Sequence, residues 1–132
     1  MNKKIICYLF LFFLMIPAFA NPQIVNKMLE SYKAQGGTDF SAEKGKSMWS
    51  KKFTVKGESR SCVDCHTADL TKAGKRVDTG KDIEPMSAKV NSERYTDPKF
   101  IEKWFRRNCK WTIGRFCTAQ EKGDYLLYLS QN

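Results

Sequence analysis

Cys62-Val63-Asp64-Cys65-His66 is the one place in this 132-residue chain where several chemically capable side chains stand together. Two thiols two residues apart, followed at once by an imidazole, can do four things. They can bind zinc, but the remaining thiols, Cys109 and Cys117, are separated by seven residues, whereas structural zinc sites usually space such a pair by about two to four. They can form a thioredoxin-like redox pair, but that needs a βαβ setting, and strand signals are weak throughout. They can close a simple disulfide, which gives His66 no task. Or they can add to the two vinyl groups of haem, with the next residue reaching the iron from one face. His66 is the only histidine in the chain and sits where the last chemistry requires it. Imidazole is a good ligand for iron. The motif therefore predicts one covalent haem c on Cys62 and Cys65, with His66 as an axial ligand.

The second axial position decides what such a haem does. With no second histidine, the remaining candidates are methionines and amides. Met28 and Met48 precede the motif on expected core faces. Met86 follows Pro85 in a loop and is a candidate ligand, or a residue filling space against the porphyrin. Asn108 is the other candidate. Ile101, Trp104, Phe105 and Asn108 fall at i, i+3, i+4 and i+7, which is a single helix face. Three members are large and apolar, and the fourth is an amide that needs a partner if buried. The residues leave a simpler account open: asparagine commonly ends helices and bonds nearby backbone.

These groups need elements to hold them. Residues 22–35 have helical periodicity, with Gly36-Gly37 as the stop. A second helix is expected from Ser41 to about Lys52, with Glu43 in its first turn and Gly45 and Trp49 on one face. Residues 67–96 read as a long loop, which a haem face would have to organise. Thr96-Asp97-Pro98 opens a helix running to about Cys109. Thr118-Ala119-Gln120-Glu121 spells a capping box before a last helix containing Tyr125 to Leu129. The expected fold is all-α, with four to five short helices around one haem.

Residues 1–20 read as an export signal. Lys3 and Lys4 are followed by an apolar run from Ile5 to Ile16 and a small-x-small end at Ala18-Phe19-Ala20. The run falls short of the roughly 20 apolar residues of a membrane span, so no stable insertion is expected after cleavage. Residues 21–132 would form one domain in the periplasm. Removing the two signal lysines takes the net charge from +9 to +7. Such a surface suits an acidic protein partner, and export argues against nucleic acid. Cys7 leaves with the signal, and outside the motif Cys109 and Cys117 remain as one even pair in an oxidising compartment.

The early helix with Gly45 and Trp49, the haem motif and the aromatic-rich last helix together resemble the class I cytochrome c frame, in which such helices pack through a glycine and an aromatic. A narrower resemblance runs from Glu93-Arg94-Tyr95-Thr96-Asp97, through Lys103-Trp104-Phe105-Arg106-Arg107-Asn108-Cys109, to Gly114-Arg115-Phe116-Cys117-Thr118-Ala119-Gln120-Glu121-Lys122, with Pro85-Met86 upstream. This is similar to the SHP family of small oxygen-binding class I cytochromes c. The resemblance implies that Asn108 is the axial ligand opposite His66 and is displaced by diatomic gases. It implies a Cys109–Cys117 disulfide and a pocket formed by Met86, Trp104 and Phe105. It also implies a diheme c-type cytochrome as redox partner. Two functions stand side by side: a redox protein that binds O₂, NO or CO and could pass electrons to oxygen or nitrogen oxides, and a plain electron carrier ligated by Met86.

Overall fold

The computed structural model describes residues 21–132, so the expected export signal lies outside the described residues. Five α-helices occur among those residues: α1 (Pro22–Ala34), α2 (Ala42–Ser50), α3 (Val63–His66), α4 (Pro98–Thr112) and α5 (Ala119–Ser130). Local chemistry sets their starts. The Ser41 hydroxyl accepts from Lys44 N at the head of α2, and the Asp97 carboxylate accepts from Lys99 N with Pro98 at the first turn of α4. Thr118 and Glu121 form the reciprocal capping box of α5.

The largest interface is α2 against α5, with α1 packed on α5 beside it. Gly45 makes the α2–α5 approach possible. A Cβ built there would lie 2.1 Å from the Asp124 carbonyl oxygen and 2.8 Å from the Tyr128 Cβ. Trp49, one turn on, meets Tyr125 and Tyr128 edge-on at 6.4 and 6.3 Å between ring centres. Tyr32 and Leu126 are fully buried in this frame, and Met28 is buried with them. Asp124 is buried too, and its carboxylate accepts from Ser41 N and Gln120 Nε2. The expected pairing of Gly45 and Trp49 with the Tyr125–Leu129 face is what holds α2 to α5.

Three details differ from expectation. Residues 67–96 are not a structureless loop. They contain a small ribbon of β3 (Gly74–Lys75) and β4 (Asp82–Ile83), and a 3-10 turn at Ser92–Tyr95. An earlier hairpin pairs β1 (Phe53–Val55) with β2 (Glu58–Arg60). These strands are two or three residues long, too short for alternation to show in the sequence. Helix α4 also continues past Cys109 to Thr112, because nothing at Asn108 stops it.

Candidate functional site

The motif residues are placed by their neighbours. Asp64 accepts Ser61 N through Oδ2 at 2.7 Å and the Lys52 ammonium through Oδ1 at 2.6 Å, which closes the turn entering α3. The Lys52 bond, ahead of the Ser61 contacts, holds the Asp64 carboxyl below the usual carboxylate range. After His66 the chain turns sharply at Thr67, whose φ is +65°. The Trp49 indole N–H donates to the Thr67 carbonyl at 3.1 Å, and its ring lies 5.3 Å from the His66 ring. Gly74 presses on the motif from the other side. A Cβ there would sit 1.9 Å from the Cys65 carbonyl oxygen, so β3 can approach α3 only as glycine.

Beside the motif lies a cavity of about 940 Å³ with mainly apolar walls, at the upper end of the roughly 300–1,000 Å³ of cofactor sites. Cys62, Cys65 and His66 line one part. Trp104, Phe105 and Asn108 line another from α4, and Met86 lines a third from the loop before the 3-10 turn. The sequence-predicted site residues thus share one cavity. Tyr95 is buried behind Met86, and its hydroxyl donates to the Met86 carbonyl at 2.6 Å. Cys109 and Cys117 form a disulfide with their Cα atoms 5.6 Å apart, tying the far part of α4 to the segment before α5.

The electrostatics of the cavity are unfinished. Burial, helped by the charge of Arg94, holds the His66 imidazole down to about 4, so it is neutral and has a lone pair to give. Burial pushes the Cys62 thiol up to about 12, against a partly compensating hydrogen bond with Tyr125. Neither motif cysteine is in a disulfide. Three buried side-chain polar atoms have no hydrogen-bond partner among the described residues: Ser61 Oγ, His66 Nδ1 and Trp104 Nε1. All three residues line the cavity. Asn108 is half-buried, its amide makes no hydrogen bond to a described residue, and α4 runs four residues beyond it rather than ending there.

This donor set fits a covalently held haem. Two unpaired thiols, a neutral buried imidazole and an apolar slot wide enough for a macrocycle meet in one place among the described residues. The residues also leave no competing metal site: no cluster of three His, Cys, Asp or Glu side chains occurs among the described residues.

Sequence reasoning gave no role to Arg94 or Ser61 and only a packing role to Tyr125, and all three line the cavity. None belongs to a spaced motif. Arg94 lies inside the quoted Glu93–Asp97 stretch, but only the fold reveals which way a lone arginine is turned.

Comparisons with known proteins agree with this geometry. Residues 35–129 match the family described as a domain of unknown function, DUF1924. The chain is 38% identical over 115 residues to cytochrome c-type protein SHP of Cereibacter sphaeroides, covering 86% of this chain and 88% of that one. It is 35% identical over 99 residues to cytochrome c'' of Methylophilus methylotrophus, covering 74% and 65%. Among solved structures, oxidised SHP, an oxygen-binding cytochrome c, superposes with a TM-score of 0.76 at 37% identity, over 82% of this chain and 96% of that one. Oxidised cytochrome c'' from Methylophilus methylotrophus superposes at 0.71 with 30% identity, over 81% and 93%. The chain therefore belongs to the DUF1924 family and is a c-type cytochrome homologous to SHP, carrying one covalently attached haem c.

Proposed function

We propose that this protein is an exported electron-transfer cytochrome that also binds diatomic gases, with Asn108 as an iron ligand that yields its place. The observation that carries this reading is the position of Asn108. Its amide lines the same cavity as Cys62, Cys65 and His66, on the face of α4 shared with Trp104 and Phe105, and has no hydrogen bond to a described residue. One relative of known structure, SHP, is an oxygen-binding cytochrome c, and the solution structure of another, cytochrome c'', concerns haem-ligand detachment.

Haem, when bound, would supply an iron that exchanges one electron and accepts ligands from the protein. Cys62 and Cys65 would hold it by thioether bonds, and His66 would give its neutral imidazole to the iron. The Asn108 amide oxygen is a hard, weak donor, suited to ferric iron and poorly matched to the softer ferrous ion. Asn108 would accordingly be the residue that binds the oxidised iron and gives way when it is reduced. Trp104, Phe105 and Met86 then present apolar walls that favour O₂, NO or CO over water. The freed Asn108 amide would be a hydrogen-bond donor for such a ligand.

Asn108→Ala and Met86→Ala decide the matter. With Asn108 as ligand, Asn108→Ala converts the ferric visible spectrum to that of a water-bound or open site, and Met86→Ala leaves it unchanged. The reverse result makes the protein a His66/Met86 electron carrier. That second reading has its own support, because Met86 lines the cavity and its carbonyl is fixed by Tyr95.

Export by residues 1–20 to the periplasm predicts that N-terminal sequencing of the holoprotein begins at Asn21. Among the described residues no helix is long and apolar enough to cross a membrane. The redox partner is an acidic protein, with a diheme c-type cytochrome as the specific proposal. On α4, Lys99, Lys103, Arg106, Arg107 and Lys110 stand against a single acid, Glu102. Electron transfer with such a donor slows as salt rises, because screening shortens the reach of exposed charges. A rate independent of ionic strength would remove electrostatic docking.

A further inference from the structure

Arg94 is the cation in the cavity wall that the haem motif does not explain. It stands in the 3-10 turn Ser92–Tyr95, between the buried Tyr95 and the loop carrying Met86. Its guanidinium is half-buried, and two of its groups are committed. Nε donates to the Pro85 carbonyl at 2.8 Å and Nη2 to the Glu84 carbonyl at 2.6 Å. Both partners are neutral backbone oxygens, and two of five N–H bonds are used. Nη1 has no partner among the described residues, and no carboxylate lies within ion-pair distance.

The other arginines around the same cavity contrast with this. Arg76 is paired with Asp78 at 2.6 Å, and Arg60 with Glu58 while its ring-side face stacks on Trp111 at 3.8 Å. Both have their counter-charge on the protein. Arg106 and Arg107 are exposed and leave theirs to solvent. Arg94 is a partly desolvated cation without an anion, an arrangement that costs free energy unless an anion completes it. Burial pulls its guanidinium pKa below the ordinary value, which is the same deficit seen from the proton's side.

We propose that Arg94 is the anchor for a haem propionate, its free N–H groups forming a charge-assisted hydrogen bond to the carboxylate at the cofactor's polar edge. The inference rests on the haem occupying this cavity, and it is independent of which residue is the sixth ligand. Its chemistry is that of the guanidinium fork, which suits carboxylates. The protein-facing half of the fork holds Glu84 and Pro85 and thereby the backbone before Met86. The cavity-facing half then takes the propionate. Arg94 is thus a positioning residue that joins the cofactor's edge to the loop on one side of its pocket.

The test uses the holoprotein with Arg94→Gln and Arg94→Lys. Loss of the guanidinium in Arg94→Gln is expected to shift the propionate bending modes in the resonance Raman spectrum and to lower the reduction potential, because a nearby positive charge favours the ferrous state. Arg94→Lys restores the potential in part, since charge is kept and the fork is lost. The ferric axial ligation stays as in the parent, so failure here is separable from failure of the Asn108 reading. Unchanged propionate modes in a folded Arg94→Gln protein would overturn the proposal and leave Arg94 as a brace for the Glu84–Pro85 backbone. A measurement on the parent covers the case in which the variants do not fold. In its low-spin, CO- or cyanide-bound form, cross-relaxation is expected between the Arg94 δ-protons and the propionate methylene protons, and its absence also overturns the assignment.

Discussion

The α1–α2–α5 frame and the cavity wall are built to different standards of completeness. In the frame, Gly45 lets two backbones touch, Tyr32 donates to Glu102, Tyr125 donates to the Met48 carbonyl at 3.4 Å, and the buried Asp124 carboxylate has two donors. Polar groups there are satisfied by protein. Around the cavity, among the described residues, Ser61, His66 and Trp104 each keep a buried polar atom without a partner, Arg94 lacks an anion, and Cys62 and Cys65 are unpaired thiols. Native interiors tolerate few such groups. Their concentration on one surface teaches that the chain supplies one complete half of a core and one half that a cofactor completes.

Removing the cofactor gives the largest effect expected from this contrast. In the double variant Cys62→Ala with Cys65→Ala, covalent attachment is lost, and residues 67–96 together with α4 should lose nearly all protection from amide hydrogen exchange. The frame helices should retain the most of whatever protection survives, because their contacts do not need the haem. Equal protection in the two regions would erase the distinction. In the parent protein, acid–acetone extraction should leave the haem with the protein.

Gly45→Ala strikes the other region. Alanine ordinarily gains helix propensity over glycine by about 1 kcal/mol. Here the added methyl would meet a backbone carbonyl at 2.1 Å, and backbone cannot swing aside as a flexible side chain can. The clash should win, with a net loss of about 3 kcal/mol in denaturant unfolding of the holoprotein. The haem spectrum of the folded fraction should stay that of the parent, since Gly45 does not line the cavity. Stability unchanged by this substitution would mean that the α2–α5 contact is looser than described.

What the sequence made legible follows the same division. Helix starts could be read because capping is local: Ser41, Asp97-Pro98 and Thr118 with Glu121 act within one turn. The cysteine motif was equally readable, since its spacing is its chemistry. The hairpins escaped notice for a physical reason. The turn of the first uses Lys56 and Gly57 with φ of +53° and +83°, and lysine is not a residue that announces a positive φ. The ribbon of Gly74 and Lys75 exists to bring Gly74 onto the Cys65 carbonyl, a contact with no periodic signature. Arg94 was hardest to read, because an arginine's meaning lies in the missing counter-charge, and that is visible only in three dimensions.

The disulfide joins the two regions and yields the smallest of the three effects. Cys109 and Cys117 are eight positions apart, so the loop they close is short, and opening it should cost about 2.5 kcal/mol through added freedom of the unfolded chain. Whether the bond does more depends on its position. Cys109 follows Asn108 directly on α4, and Cys117 directly precedes the Thr118 cap of α5, so the bond ties the Asn108 end of α4 to the frame. With the bond intact, α4 would be held while Asn108 gives way, if Asn108 is the ligand proposed above. With both cysteines changed to serine, α4 has more freedom at its C-terminal end, and the ferric Asn108 contact should weaken. A gas that competes with Asn108 should then bind more tightly to the ferric protein. NO affinity of the ferric protein, with and without Cys109→Ser and Cys117→Ser, measures this. A drop in unfolding stability with no change in NO affinity would show that the disulfide serves the fold alone and that the cavity wall does not feel it.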